Sequence, residues 1–87
     1  MAFNITYKKS VARDINHLDK KEARGIINKI ENNLVEYAES YPVLKGEFSG
    51  LRKMRVGDYR VVYTIIDKNI LILRIGHRRE FTKKKYD

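Results

Sequence analysis

The spacing of apolar residues along the chain changes period twice, and each change marks a different kind of element. Phe3, Ile5 and Tyr7 alternate with Asn4 and Thr6, the period of a half-buried strand. Ser10 can cap a helix, and Val11, Ile15 and Leu18 follow it at steps of four and three, so a short helix is predicted there. Asp19 and Glu22 then stand at the spacing of a capping box. Beyond them Ala23, Ile26, Ile27, Ile30, Leu34, Tyr37, Ala38 and Tyr41 form one long amphipathic stripe that stops near Pro42. Two helices so joined make a hairpin whose apolar face needs a sheet to cover.

After a loop over residues 43–50, which holds Gly46 and Gly50, the period returns to two. Residues 51–56 set Met54 and Val56 on one side and Lys53 and Arg55 on the other, and Gly57-Asp58 supplies a tight turn. Residues 59–66 are β-forming and apolar on both faces, as a central strand is. Asp67-Lys68-Asn69 turns the chain into residues 70–76, where strict alternation puts Leu71, Leu73 and Ile75 on one face and Ile70, Ile72 and Arg74 on the other. Hairpin connections make these strands antiparallel. Residues 78–87 read as a charged tail or one more helical turn over the sheet. The class that follows is α+β, an N-terminal strand and a two-helix hairpin packed on an antiparallel sheet.

Composition narrows this picture. Eighty-seven residues with 43% hydrophobic content build one domain over residues 1–87, with a core that needs no crosslinks. Cysteine is absent, which excludes disulfides and thiolate metal sites. No apolar leading segment suggests a signal peptide or membrane span, so a cytoplasmic protein is expected. The net charge of +8 is distributed unevenly: residues 1–41 carry seven Lys/Arg against six Asp/Glu, and residues 42–87 carry twelve against five. A balanced half followed by a basic one reads as scaffold helices followed by an anion-facing surface, and nucleic acid is the commonest polyanion.

The candidate chemistry lies on the strand segments. Lys53 and Arg55 share a face by alternation, and Arg60 lies just across the turn, so all three can converge on one anionic group. Arg60 interrupts an otherwise apolar strand, where a charge is costly unless it faces a site. His77 and Arg78 leave the last strand close by, while Arg74 reads as a surface charge and His17 as a solvated one. Fixed cations on a rigid sheet can hold a phosphate and stabilise the added negative charge of its transition state. Phosphate-binding glycine loops, zinc-ligand spacings and Ser/His/Asp arrangements are absent, and Glu47, Asp58 and Asp67 are isolated, so no metal or cofactor is expected.

The run Leu44-Lys45-Gly46, then Gly50-Leu51-Arg52-Lys53-Met54-Arg55-Val56-Gly57-Asp58-Tyr59-Arg60-Val61-Val62-Tyr63, then Ile75-Gly76-His77-Arg78-Arg79-Glu80, resembles the RelE pattern of the RelE/ParE toxin superfamily. The first helix and the following Asp19-Lys20 share the likeness, so it covers nearly the whole chain. The resemblance implies a microbial-ribonuclease-like fold, a RelB-like antitoxin encoded beside the toxin, and metal-free cleavage of mRNA in the ribosomal A site. It assigns Lys53 and Arg55 to the basic pair of the first hairpin strand, Arg60 to the arginine of the second, and Arg78 to the one after the last strand. For attack by a 2′-hydroxyl, Arg60 and Arg78 suit charge stabilisation, Lys53 suits the base if its cationic neighbours lower its pKa, and His77 is an alternative acid or base. The pattern's tyrosine is displaced here: Phe81 holds the near position, and Tyr86 is the candidate for stacking or proton transfer. The ParE branch shares the fold but poisons DNA gyrase, and a plain nucleic-acid-binding module would bind without cutting. The His77-Arg78-Arg79 cluster and the Lys83-Lys84-Lys85 tail favour RNA.

Overall fold

The computed structural model describes residues 3–44 and 50–79. Strand β1 (Asn4–Tyr7) leads into α1 (Lys9–Asn16) and α2 (Lys20–Lys29), and α2 continues through a π-helical turn at Ile30–Leu34, the single turn α3 (Val35–Tyr37) and a 3₁₀ turn at Ala38–Ser40. Strands β2 (Leu51–Val56), β3 (Tyr59–Ile66) and β4 (Asn69–His77) follow, and Arg78 and Arg79 after them are helical. The four strands form one sheet in the order β1-β4-β3-β2. Neither α1 nor any other described helix is long and apolar enough to cross a membrane.

The hairpin strands are antiparallel as the turns dictate, with Gly57 at φ 59° and Asp67 at φ 58° supplying the left-handed backbone of the two connections. β1 joins the sheet parallel to β4, pairing Asn4 with Asn69 through Tyr7 with Ile72, so the sheet is mixed. A strand's alternation is the same in either direction, which is why its pattern leaves the pairing open. Helix α1 begins directly where β1 ends. The Lys8 N–H bonds the Ile72 carbonyl at 2.9 Å, and the Lys8 carbonyl accepts from Val11 N–H at 2.9 Å, so Lys8 is the cap residue. Ser10 is therefore inside the helix rather than its cap, because the extended residue that precedes the helix is Lys8. Asp19 does occupy the cap of α2, but through its backbone: Ala23 N–H bonds the Asp19 carbonyl at 2.8 Å and no side-chain cap bond forms.

The helical stripe buries Ala23, Ile26, Ile30, Leu34 and Ala38, whereas Tyr37 is 55% exposed. On an α-helix each step of four overshoots by about 40°, and Tyr37 would fall on the stripe. The wider π turn sets that phase back, bringing Ala38 in and Tyr37 out. Against the stripe lie Met54, Val61, Tyr63, Ile70, Ile72 and Ile75, all essentially inaccessible to solvent. Ile75 shares this core face with Ile70 and Ile72, not with Leu71 and Leu73 as strict alternation expects. A bulge opposite Val62/Tyr63 leaves Leu73 as an extra residue, and one extra residue inverts the alternation of everything after it. Leu73 instead packs with Leu44, Leu51 and Val62 in a small second cluster.

Two features secure the margins of the sheet. β1 covers β4 only as far as Ile72, and beyond it an Asp14 carboxylate oxygen accepts the Ile75 N–H at 3.0 Å. At the other end, Tyr63 donates its hydroxyl to the Ala38 carbonyl at 2.6 Å, and Arg52 donates to the carbonyls of Glu39 (3.1 Å) and Tyr41 (2.7 Å). The last carbonyls of a helix have no internal partner, and here the sheet supplies the donors. Burial raises the Tyr63 phenol pKa well above its ordinary value.

Candidate functional site

Core packing fixes which strand positions face away from the helices. Because Met54 and Val61 are buried, their neighbours Lys53, Arg55 and Arg60 project from the opposite face. The register sets Arg55 directly opposite Arg60, Lys53 opposite Val62, and Arg60 opposite Gly76. Gly76 carries no side chain, so Arg60 meets no bulk on that flank. The Arg78 N–H bonds the Asp58 carbonyl at 2.7 Å, which holds Arg78, the first residue after β4, beside the β2–β3 turn and close enough to Arg60 for its charge to act on it. Lys53, Arg55, Arg60 and Arg78 are thereby brought together.

Burial and the neighbouring charges act on two of them, Lys53 and Arg60. Lys53 has its pKa lowered, chiefly by burial and then by the charges of Arg60 and Arg55. Arg60 is lowered for the same reasons, burial first and then Arg55 and Arg78, yet a guanidinium stays protonated at physiological pH. Arg55 and Arg60 thus stand by a lysine whose neutral form is made more accessible, with Arg78 beside Arg60. Such a face is chemically suited to an anion and offers both charge and a proton acceptor.

His77 does not join them. It pairs with Tyr59 across the ladder, and the two rings meet edge to face with centroids 5.4 Å apart. Both lie on the α1 side of the sheet, lining a cleft with Arg13, Asp14, His17 and Arg74. The His77 Nδ1 accepts the Arg79 N–H at 3.1 Å, so that nitrogen is engaged as an acceptor. Arg74, read from the sequence as a surface charge, lies 3.6 Å from the same Asp14 oxygen that accepts the Ile75 N–H. Tyr86 lies outside the described residues, as do Gly46, Glu47, Phe81 and the lysines Lys83, Lys84 and Lys85. No group of three His, Cys, Asp or Glu is placed to hold a metal ion among the described residues.

Sequence reasoning missed the role of Arg52 and the whole of the cleft. Arg52 looks like one more cation beside Lys53, and only the phase of the strand turns it toward the helix end. The cleft joins Asp14 to Ile75 across 61 positions, a separation over which residue spacing carries no signal.

Known proteins share this arrangement of elements. The fold is similar to that of the RelBE2 toxin-antitoxin complex from Mycobacterium tuberculosis, with a TM-score of 0.84, 23% identity, and coverage of 90% of this chain and 100% of that one. It is also similar to a mutant of E. coli toxin RelE in the free state, with a TM-score of 0.75, 16% identity, and coverage of 94% and 90%. A third likeness is to the chromosomal ParDE toxin-antitoxin system from P. aeruginosa, with a TM-score of 0.73, 17% identity, and coverage of 87% and 96%. No curated protein sequence matches the chain. The model for the ParE toxin of the type II toxin-antitoxin system parDE matches residues 5–80, and the chain therefore belongs to this family of toxins within the RelE/ParE superfamily.

Proposed function

We propose that this toxin is a metal-independent endoribonuclease that cuts messenger RNA on the ribosome. The observation that carries this reading is the convergence of Lys53, Arg55 and Arg60 on one sheet face, with Arg78 beside Arg60 and Lys53 lowered in pKa. Neutral Lys53 takes the proton of the 2′-hydroxyl, whose oxygen bonds the adjacent phosphorus. Arg60 and Arg78 stabilise the added charge on the phosphoryl oxygens, and Arg55 holds the phosphate against the strand. The bond from phosphorus to the 5′-oxygen then breaks, and that oxygen takes up a proton. Its donor falls to Tyr86, since His77 lies on the other face of the sheet. The products are a 2′,3′-cyclic phosphate and a 5′-hydroxyl.

A RelB-like acidic antitoxin is the fitting partner for so basic a surface, and two of the similar structures are toxin-antitoxin assemblies. A ribosomal target places the work in the cytoplasm. The test is to incubate the purified protein with translating ribosomes and map cuts by primer extension. Discrete cuts in the A-site codon are expected, and an intact message would defeat the reading. The match to a ParE model favours a second reading, inhibition of DNA gyrase without nuclease activity. A supercoiling assay with purified gyrase decides for it if supercoiling stops while ribosomal messages stay whole.

A further inference from the structure

Across β4 from the four cations, the α1 side of the sheet holds a cleft of about 410 Å³, within the usual range for small-ligand sites. Arg13 and His17 from the end of α1 form one wall, Tyr59 and His77 the other, and Leu18 and Ile75 add apolar surface. Asp14 also lines it, but one of its oxygens accepts the Ile75 N–H at 3.0 Å and lies 3.6 Å from the Arg74 Nε, so its charge is offset. The Tyr59 and His77 rings are held edge to face, and the Arg79 N–H on His77 Nδ1 fixes the imidazole. The cleft thus combines an arginine and a histidine on one wall, a rigid aromatic pair and an apolar lining.

We infer that this cleft binds one nucleotide, its phosphate against Arg13 and His17 and its base against the Tyr59–His77 pair. A guanidinium fork matches phosphate geometry, and every base presents a π-face to aromatic rings. Two sources offer this chemistry, a free mononucleotide or one residue of an RNA strand. Gly76 lines the cleft and also stands opposite Arg60, so only the backbone of β4 separates the cleft from the basic face. A strand crossing that end of the sheet would reach both. The inference does not depend on cleavage, because it concerns binding alone.

The experiment is an NMR titration of the full, isotopically labelled chain with adenosine 5′-monophosphate, and in parallel with ribose 5-phosphate. The mononucleotide should shift the His17, Tyr59 and His77 resonances and saturate, and ribose 5-phosphate should bind more weakly for want of a base. Arg13→Gln, at an exposed helix position, should weaken mononucleotide binding about tenfold, the loss of one charge-assisted hydrogen bond. His17→Ala, also exposed, should weaken it as well, while Arg24→Ala, on exposed α2 surface outside the cleft, leaves it unchanged. Shifts confined to Lys53 and Arg55, or unaltered affinity in both Arg13→Gln and His17→Ala, would overturn the inference. A short RNA with every 2′-oxygen methylated, and so unable to be cut, separates the sources. If it shifts His17 and His77 together with the basic face, the occupant is a strand residue; if it shifts only the basic face while the mononucleotide still fills the cleft, the occupant is free. Failure of the nuclease reading would leave these titrations as they are.

Discussion

Arg52 and Tyr63 stand directly opposite each other on β2 and β3, and both donate to carbonyls at the same helix end, those of Glu39 and Tyr41 and that of Ala38 respectively. One cross-strand pair thus caps the long helical run, which has no glycine of its own at that end. Tyr63→Phe keeps the ring but leaves the Ala38 carbonyl without this donor, at a cost of about 1–3 kcal/mol. In a domain of this size each kcal/mol lowers the Tm by roughly 4–8 °C. Thermal melts followed by circular dichroism measure it, and a Tyr63→Phe protein that melts with the parent would deny the hydroxyl any part in stability.

The Arg55–Arg60 pair makes the opposite prediction. Like charges directly opposite on antiparallel strands destabilise the sheet. Arg60→Gln should therefore raise stability by about 0.2–1 kcal/mol while lowering activity, the usual direction of exchange at a functional site. Added salt screens the repulsion, so the gain should shrink between low and high ionic strength. A less stable Arg60→Gln protein at low salt would mean that another contact of Arg60 outweighs the repulsion.

Lys53 ties activity and stability to pH. Its folded pKa is lowered by burial, then Arg60 and Arg55, so between the folded value and the ordinary 10.5 the unfolded chain binds more protons than the folded one. The penalty for a charged Lys53 is fully present below the folded pKa and is relieved as pH rises through that window, so stability gains there. If neutral Lys53 is the base, cleavage should rise with pH up to the same folded value. Removing Arg55 takes away one of the charges that lower it, so the pH–rate profile of Arg55→Gln should move to higher pH. A profile that stays in place would take the base away from Lys53.

How far the chain could be read in advance depends on what each element's geometry needs. The bounds of β2 and β3 follow from local chemistry, since the turn at Gly57-Asp58 needs a left-handed residue and Gly57 provides it. Convergence of Lys53, Arg55 and Arg60 follows as well, because a two-residue turn fixes the register of its strands. Arg78 comes near Arg60 through its bond to the Asp58 carbonyl and the bulge at Leu73 that sets the end of β4, and neither leaves a mark in residue type. The same bulge decides that Ile75 is buried and that His77 turns away from the cations. The parallel seating of β1 beside β4 depends on where the helices carry the chain, which no local spacing encodes. Tyr37 went astray for a comparable reason, one widened helical turn upstream of it.

The last prediction addresses chemistry and separates cutting from mere binding. On the proposed mechanism Arg60→Ala and Arg78→Ala each remove a permanent cation from the phosphate's transition state, and each should lower cleavage on the order of 10²-fold while leaving ribosome affinity nearly intact. Binding is spread over many phosphate contacts, so one lost cation changes its salt slope by only about one unit. Rate and affinity must therefore be measured on the same variants, by single-turnover cleavage and by sedimentation with ribosomes. The nucleophile is tested from the side of the RNA. A 2′-deoxy residue at the cut position keeps the phosphate, the base and the contacts to all four cations, and lacks only the hydroxyl that attacks. Binding should persist and cleavage should stop, and a message still cut at the deoxy position would require a water nucleophile and a different role for Lys53.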